Sequence, residues 1–91
     1  MKILIVEDEL GPRESYRQIL KNDYDVIPAE NGRLAIDYVN KNPVDVALVD
    51  IKMPGIDGIE VLKQIKRIQP QMEVVIITAF ASVENAKNAI K

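Results

Sequence analysis

Four short runs of apolar, mostly β-branched residues recur along the chain, and they restrict its fold more than any other feature of the sequence. The runs are residues 3–6, 24–27, 44–49 and 74–78. Three of them are almost continuously apolar, which is typical of parallel strands covered by helices on both faces. The alternation of such runs with helical spacing predicts an α/β domain built on a parallel sheet.

Between these runs the apolar residues recur at helical spacing, so a helix is predicted in each interval. The first covers residues 12–21 with Pro12 in its first turn, the second covers residues 33–40, and the third ends before Pro70. The residues expected to face the sheet are Ile19 and Leu20, then Leu34, Ala35, Tyr38 and Val39, then Ile59, Val61, Leu62, Ile65 and Ile68. Ser82 is the predicted N-cap of a fourth helix.

Composition restricts the chemistry that such a domain can perform. The 91 residues, 47% of them hydrophobic, suit a single globular domain. Cysteine and histidine are both absent, which excludes disulfides and argues against zinc sites and imidazole catalysis. The net charge of -2 indicates no contact with nucleic acid or anionic membrane, and no apolar stretch reaches the length of a membrane span. We therefore expect a cytoplasmic protein.

The polar residues that stand out all follow predicted strands. Glu7, Asp8 and Glu9 come after the first strand, Asp50 closes the third and Thr78 closes the fourth. In a flavodoxin-like sheet of order 2-1-3-4 the first, third and fourth strands are neighbours, and ligands bind at the carboxyl ends of such strands. The sequence therefore predicts that Glu7, Asp8, Asp50 and Thr78 meet in one crevice.

Three converging carboxylates would repel one another unless a cation bound between them. Oxygen ligands at a partly open site suit Mg²⁺, which is commonly held by one or two carboxylates together with phosphate oxygens. A carboxylate beside Mg²⁺ can also act as a nucleophile towards phosphorus. Taken singly, these residues have ordinary explanations, since acids after a strand are often solvated and Asp50 or Thr78 can serve a turn or a strand.

Three blocks carry a resemblance to a known family: residues 3–9, residues 49–58 and residues 74–79. With this order and spacing the chain resembles the receiver domains of bacterial two-component response regulators over its whole length, residues 1–91. The resemblance implies a flavodoxin-like, CheY-like parallel sheet of order 2-1-3-4 with helices on both faces.

The resemblance also implies a role for each site residue. Asp50 is the implied phosphoacceptor and a metal ligand, and Asp8 holds Mg²⁺ directly. Glu7 stands where the family more often has aspartate, and its longer side chain is expected to reach the metal through water. The backbone carbonyl of Lys52 is the third protein ligand, and its side chain is a candidate modulator of hydrolysis. Thr78 bonds the phosphoryl group and acts in the conformational switch.

The resemblance implies partners as well. The phosphoryl donor is the histidine of a sensor histidine kinase, and the output lies outside this chain. The chain looks most like receivers that are attached to DNA-binding transcription activators. Receivers normally continue through a fifth strand and fifth helix, with a lysine that pairs with the phosphoryl group. None of these is matched here, so we expect a domain that is incomplete at its C-terminus. A dimer or a domain-swapped assembly stays open.

Three other kinds of protein share features of this sequence. An enzyme of the haloacid dehalogenase type needs a second aspartate two positions after the first, where this chain has Lys52, so no turnover is expected. A degenerate receiver would bind partners without phosphorylation, and the missing lysine keeps that alternative open. A plain interaction module would show no metal-dependent difference between the parent chain and Asp50→Asn.

Overall fold

The computed structural model describes residues 1–51 and 57–77. Strands and helices alternate, each strand bound lying within two residues of its predicted position. The elements are β1 (Lys2–Val6), α1 (Leu10–Leu20), β2 (Asp25–Ala29), α2 (Gly32–Lys41), β3 (Val46–Asp50), α3 (Gly58–Ile68) and β4 (Glu73–Ile77). The fourth helix predicted after Ser82 lies outside the described residues.

The strands form one parallel sheet in the order β2-β1-β3-β4, which confirms the predicted topology. Within it Val6 of β1 pairs with Ala29 on one side and with Val49 on the other. The chain moves in one direction from β1 to β2 and in the opposite direction from β2 towards β3 and β4. Right-handed connections therefore place α1 on one face of the sheet and both α2 and α3 on the other.

The main hydrophobic core lies on the face that α2 and α3 cover. Alternate strand residues point into it, as the two-residue period of a strand requires. The core residues are Leu4, Val6, Ala29, Ala47 and Val49 from the strands, Ala35, Val39, Val61 and Ile65 from the helices, and Val44 and Met72 from the connections. On the other face Ile3 and Ile5 are also buried, so the central strand β1 is covered on both sides.

The expectation that Ile19 lies on the packed edge of α1 is wrong. No residue of α1 is buried, and Ile19 is 71% exposed. The half-buried positions Pro12, Tyr16 and Leu20 follow one another at intervals of four residues. Ile19 precedes Leu20, so it points about 100° away from that line. Of these two adjacent apolar residues, only Leu20 therefore lies on the half-buried side of α1.

The fully buried stripes of the other two helices are narrower than predicted, although Tyr38 and Ile68 pack against the core from partly buried positions. In α3 the buried apolar residues are Val61 and Ile65. The other predicted positions, Ile59, Leu62 and Ile68, are only half-buried. Steps of three residues rotate around a helix that has 3.6 residues per turn, but a step of four stays near one line. The same holds in α2, where Ala35 and Val39 are buried while Leu34 is 46% exposed.

A polar clamp joins the elements at the amino end of the sheet. The Gln69 Nε2 atom donates to the carbonyl oxygens of Val39 at 2.8 Å and Asn42 at 2.7 Å, and its Oε1 atom accepts from Val44 N at 2.9 Å. One side chain after α3 thus ties the end of α2 to the start of β3. Lys66 adds a second tie, donating from Nζ to the carbonyls that lead into β4.

Within residues 1–51 and 57–77, no helix is both long and apolar enough to cross a lipid bilayer.

The narrow core stripe predicts a sharp contrast between two isoleucines. Ile65→Ala should lower the free energy of unfolding by about 3 kcal/mol, because it removes a side chain with no exposed surface from the core. Ile19→Ala makes the identical chemical change on α1 and should alter that free energy by less than about 0.5 kcal/mol. Urea unfolding followed by circular dichroism measures both, and equal losses would contradict this assignment of the core.

Candidate functional site

The first acid of the site continues directly from the most buried strand. Leu4, Ile5 and Val6 are completely buried, and Glu7 follows them with only 5% of its surface exposed. Its backbone N–H donates to Ala29 O at 3.1 Å, so the sheet pairing extends past the end of β1. Glu7 is therefore held by the sheet itself and not by a solvated loop. A buried glutamate is uncommon unless it is paired or binds a metal.

The other strand to contribute an acid is β3. Because Val6 pairs with Val49, the next residue of each strand, Glu7 and Asp50, lies at the same level of the sheet. Asp50 is the last residue of β3 and is half-buried, and Ile51 after it is buried. Parallel strands end on the same edge of a sheet, which brings these two carboxyl groups together.

Glu7, Asp8 and Asp50 form one cluster. Each offers a carboxylate oxygen, and these oxygens all lie within 4.8 Å of one another. The predicted convergence of these acids is present in the structure. Glu7 Oε2 is buried and has no hydrogen-bond partner among the described residues. An all-oxygen donor set with a buried, unsatisfied oxygen fits a hard divalent cation such as Mg²⁺.

The environment of Glu7 changes its acidity strongly. Burial first, then a hydrogen bond with Asp50 and repulsion from the neighbouring acids, raises the pKa of Glu7 from 4.5 to about 8. Each of these causes disfavours the ionised carboxylate. In the metal-free protein the cluster is therefore electrostatically costly, which is what the crowding of the acids in the sequence indicated.

Arg13 belongs to this site, although the sequence analysis did not identify it. Its Nη1 atom donates to Glu7 O at 3.0 Å and to Asp8 O at 3.3 Å. The first turn of α1 contains no acidic residue, and a cation near a helix N-terminus is unfavourable unless something compensates it. A basic residue in that position, a few residues after an acidic pair, is the sequence signal that could have revealed it.

Gly58 positions the backbone behind Asp50. A Cβ atom at Gly58 would lie 2.3 Å from Ile51 Cα and 2.4 Å from Asp50 O, closer than such atoms can approach. The start of α3 therefore packs directly on the peptide unit that follows the acid. Gly58 thus shapes the backbone of the site, because any larger residue would collide with it. Asp57 caps α3 through its Oδ1 atom, which accepts from Ile59 N at 2.9 Å.

Two predicted site residues, Lys52 and Thr78, lie outside the described residues, so their placement relative to the acids stays a prediction.

Comparison with known proteins gives consistent matches. Sporulation initiation phosphotransferase F of Bacillus subtilis is 42% identical over 84 residues, which cover 91% of this chain and 68% of that protein. Transcriptional regulatory protein ZraR of Escherichia coli K12 is 38% identical over 90 residues, which cover 98% of this chain but only 20% of that protein. The chain thus spans about two thirds of the first relative and a fifth of the second.

The structural comparison agrees with the sequence relatives. Response regulator protein TrrA from Thermotoga maritima, solved in complex with Mg²⁺-BeF, matches with a TM-score of 0.82 and 33% identity. The match covers 88% of this chain and 70% of that one.

The parallel 2-1-3-4 sheet, with acids gathered at the carboxyl ends of its strands, defines an α/β signalling module of the flavodoxin-like class. The family model of the response regulator receiver domain matches residues 3–91, and the chain belongs to that family.

The close packing at Gly58 predicts that this position tolerates no side chain. Gly58→Ala should lower the free energy of unfolding by about 3 kcal/mol, because the Asp50–Ile51 backbone or the start of α3 must move. Gly11→Ala is the matched control, since a Cβ there meets nothing within 4 Å outside its chain neighbours. The helix preference of alanine and the restriction imposed by Pro12 oppose each other there, so a change under about 1 kcal/mol is expected. Chemical denaturation of both variants measures the difference, and similar losses would contradict the packing argument.

The raised pKa of Glu7 predicts how stability depends on pH in the metal-free chain. The folded pKa of about 8 lies above the unfolded value of 4.5, so the unfolded chain loses this proton first as pH rises. The contribution of Glu7 to the free energy of unfolding is therefore highest below pH 4.5 and is lost as pH rises to about 8. The loss should be on the order of 4 kcal/mol and should be absent in Glu7→Gln. Denaturant titrations across this pH range, with EDTA present, measure it. Glu9→Gln, on the exposed neighbour, removes only the smallest of the repulsions that raise the pKa of Glu7, so it should change the profile far less than Glu7→Gln does. A parent profile that matches Glu7→Gln would contradict the assignment.

Proposed function

We propose that this receiver domain accepts a phosphoryl group on Asp50 with Mg²⁺ bound at Glu7, Asp8 and Asp50. The observation that carries the proposal is the meeting of these carboxylate oxygens within 4.8 Å at the carboxyl ends of two adjacent strands. Asp50 stands at the end of its strand and is half-buried, which leaves part of the residue open to an incoming donor.

The residues that would hold the cation differ in their roles. Asp8 and Asp50 are the proposed direct ligands, and Glu7 contributes its buried, unsatisfied oxygen, through water as its length implies. When bound, Mg²⁺ offsets negative charge on the transferring phosphoryl oxygens and orients them. The relative TrrA, whose structure contains Mg²⁺-BeF, supports this choice of metal. The third proposed ligand, the carbonyl of Lys52, comes from the family resemblance alone.

The chemistry proposed for Asp50 is one displacement at phosphorus. A carboxylate oxygen of Asp50 attacks the phosphorus atom of a phosphohistidine on a sensor kinase. The new P–O bond forms as the P–N bond breaks, the histidine nitrogen leaves with the electron pair of that bond, and an acyl phosphate remains on Asp50. Thr78 is the proposed hydrogen-bond donor to the phosphoryl group, and the Lys52 side chain the proposed modulator of its hydrolysis.

The phosphorylated and unphosphorylated forms are proposed to differ in conformation and so to control an output outside this chain. The relative ZraR is a transcriptional regulatory protein, which supports transcription as the process controlled. A cytoplasmic location, where a sensor kinase presents its phosphohistidine, belongs to the same proposal.

Phosphorylation should be measurable as an intact-mass change. After incubation with a small acyl-phosphate donor and Mg²⁺, the chain should gain the mass of a single phosphoryl group, and EDTA should prevent the gain. Asp50→Asn should remain unmodified, because an amide lacks the nucleophilic carboxylate.

Asp57→Asn provides the matched control for this experiment. It makes the same chemical change at an exposed aspartate, and asparagine also caps helices well, so it should be labelled like the parent. Labelling of Asp50→Asn at the parent's rate would contradict the assignment of the acceptor. A parent that stays unlabelled would favour a receiver that acts without phosphorylation.

A further inference from the structure

We propose that Arg13 is a positioning residue that sets the direction of the Asp8 carboxylate and thereby the Mg²⁺ affinity of the site. This inference rests on the proposed metal site and adds a residue to it. Arg13 lies on α1, is half-buried, and its guanidinium donates to the backbone carbonyls of Glu7 and Asp8.

The two hydrogen bonds from Arg13 lie on either side of one metal-binding residue. The Glu7 carbonyl belongs to the peptide plane before the Asp8 Cα atom, and the Asp8 carbonyl belongs to the plane after it. One nitrogen, Nη1, holds both oxygens, at 3.0 and 3.3 Å. Because the two peptide planes at a Cα atom determine where its Cβ points, Arg13 sets the direction in which the Asp8 side chain leaves the backbone.

Arg13 completes a continuous set of backbone ties through this segment. The plane before Glu7 is bound to β2, since Glu7 N donates to Ala29 O at 3.1 Å. The Glu9 carbonyl accepts from Arg13 N at 3.1 Å as α1 begins. Between these two main-chain bonds the only ties on Glu7 O and Asp8 O within the described residues come from the Arg13 guanidinium. Removing it frees the two peptide planes next to the ligand.

Arg13 binds this segment through carbonyl oxygens and, among the residues that the structure describes, forms no salt bridge with an acid of the cluster. Within the described residues the salt bridge on α1 is formed instead by Arg17 and Glu14 at 2.7 Å. Arg13 thus holds the ligand segment while leaving the acid oxygens for the cation.

Removing a group that hydrogen-bonds to a metal-binding residue and orients it typically changes metal affinity by 10- to 100-fold. We therefore expect Arg13→Ala to weaken Mg²⁺ binding roughly 10-fold. The measurement is an NMR titration of the chain with MgCl₂, at about 0.1 M and about 1 M salt. Arg17→Ala is the matched control, since it removes the same charge from the same helix without touching the carbonyls of Glu7 or Asp8.

Salt separates positioning from simple charge. A through-space effect of the lost charge would shrink at about 1 M salt, where the Debye length falls to about 3 Å. A lost hydrogen bond to the ligand segment is expected to weaken binding at both salt concentrations. Arg13→Lys retains the charge, but its terminal nitrogen is one bond nearer the backbone than Nη1, so it should bind Mg²⁺ more tightly than Arg13→Ala and less tightly than the parent.

A metal-free readout tests the contact itself. The ¹³C shifts of the Glu7 and Asp8 carbonyls should change in Arg13→Lys and remain as in the parent in Arg17→Ala. This comparison retains its value if Arg13→Ala fails to fold, because Arg13→Lys retains the aliphatic stem and the charge of the side chain.

The possible results distinguish a failure of the positioning role from a failure of the metal site. Parent-like Mg²⁺ affinity in the Arg13 variants would overturn the positioning role and leave the proposed function intact. A loss shared by Arg17→Ala and removed by high salt would also overturn it. A parent chain that does not bind Mg²⁺ at all would overturn the metal site, and with it the proposed function.

Discussion

Burying the Glu7 carboxyl group beside two other acids costs free energy, so the carboxyl end of the sheet requires stabilising contacts elsewhere. The strand before Glu7 provides them, because Leu4, Ile5 and Val6 are completely buried and β1 is paired on both sides. A strand covered on both faces resists movement more than an edge strand would. The central strand therefore holds this carboxyl group in a position where ionisation is unfavourable, which is why its pKa is raised.

The acids of the site gain their geometry from different sources. Glu7 and Asp50 are placed by strand register, which the Val6–Val49 pairing determines. Asp8 lies beyond the strand, and side-chain contacts from α1 fix its backbone. Gly58 adds a constraint behind Asp50 by bringing α3 against the main chain. The site thus combines two acids placed by strand register with a third acid whose backbone is held by a side chain from α1.

The topology and the acid cluster were predictable because they follow from residue type and strand order, as Glu7 and Asp50 illustrate. The face of α1 was not, because two adjacent apolar residues do not identify which one meets the sheet, and Ile19 proved to be exposed. The role of Arg13 was also missed. Its partners are backbone carbonyls, which every residue possesses, so a basic residue placed after the acids signals a contact without identifying its partners. The burial of Glu7 likewise depends on β2, which is distant in sequence.

The polar clamp of Gln69 and Lys66 lies at the end of the sheet opposite the acids. With the ends of α2 and α3 and the beginnings of β3 and β4 tied there, that end acts as a fixed base. We therefore expect a local change at Asp50 to be accommodated at the carboxyl end of the sheet, away from these hydrogen bonds. A protein that distinguishes two states of this domain would gain most by contacting the loops at the carboxyl ends of the strands.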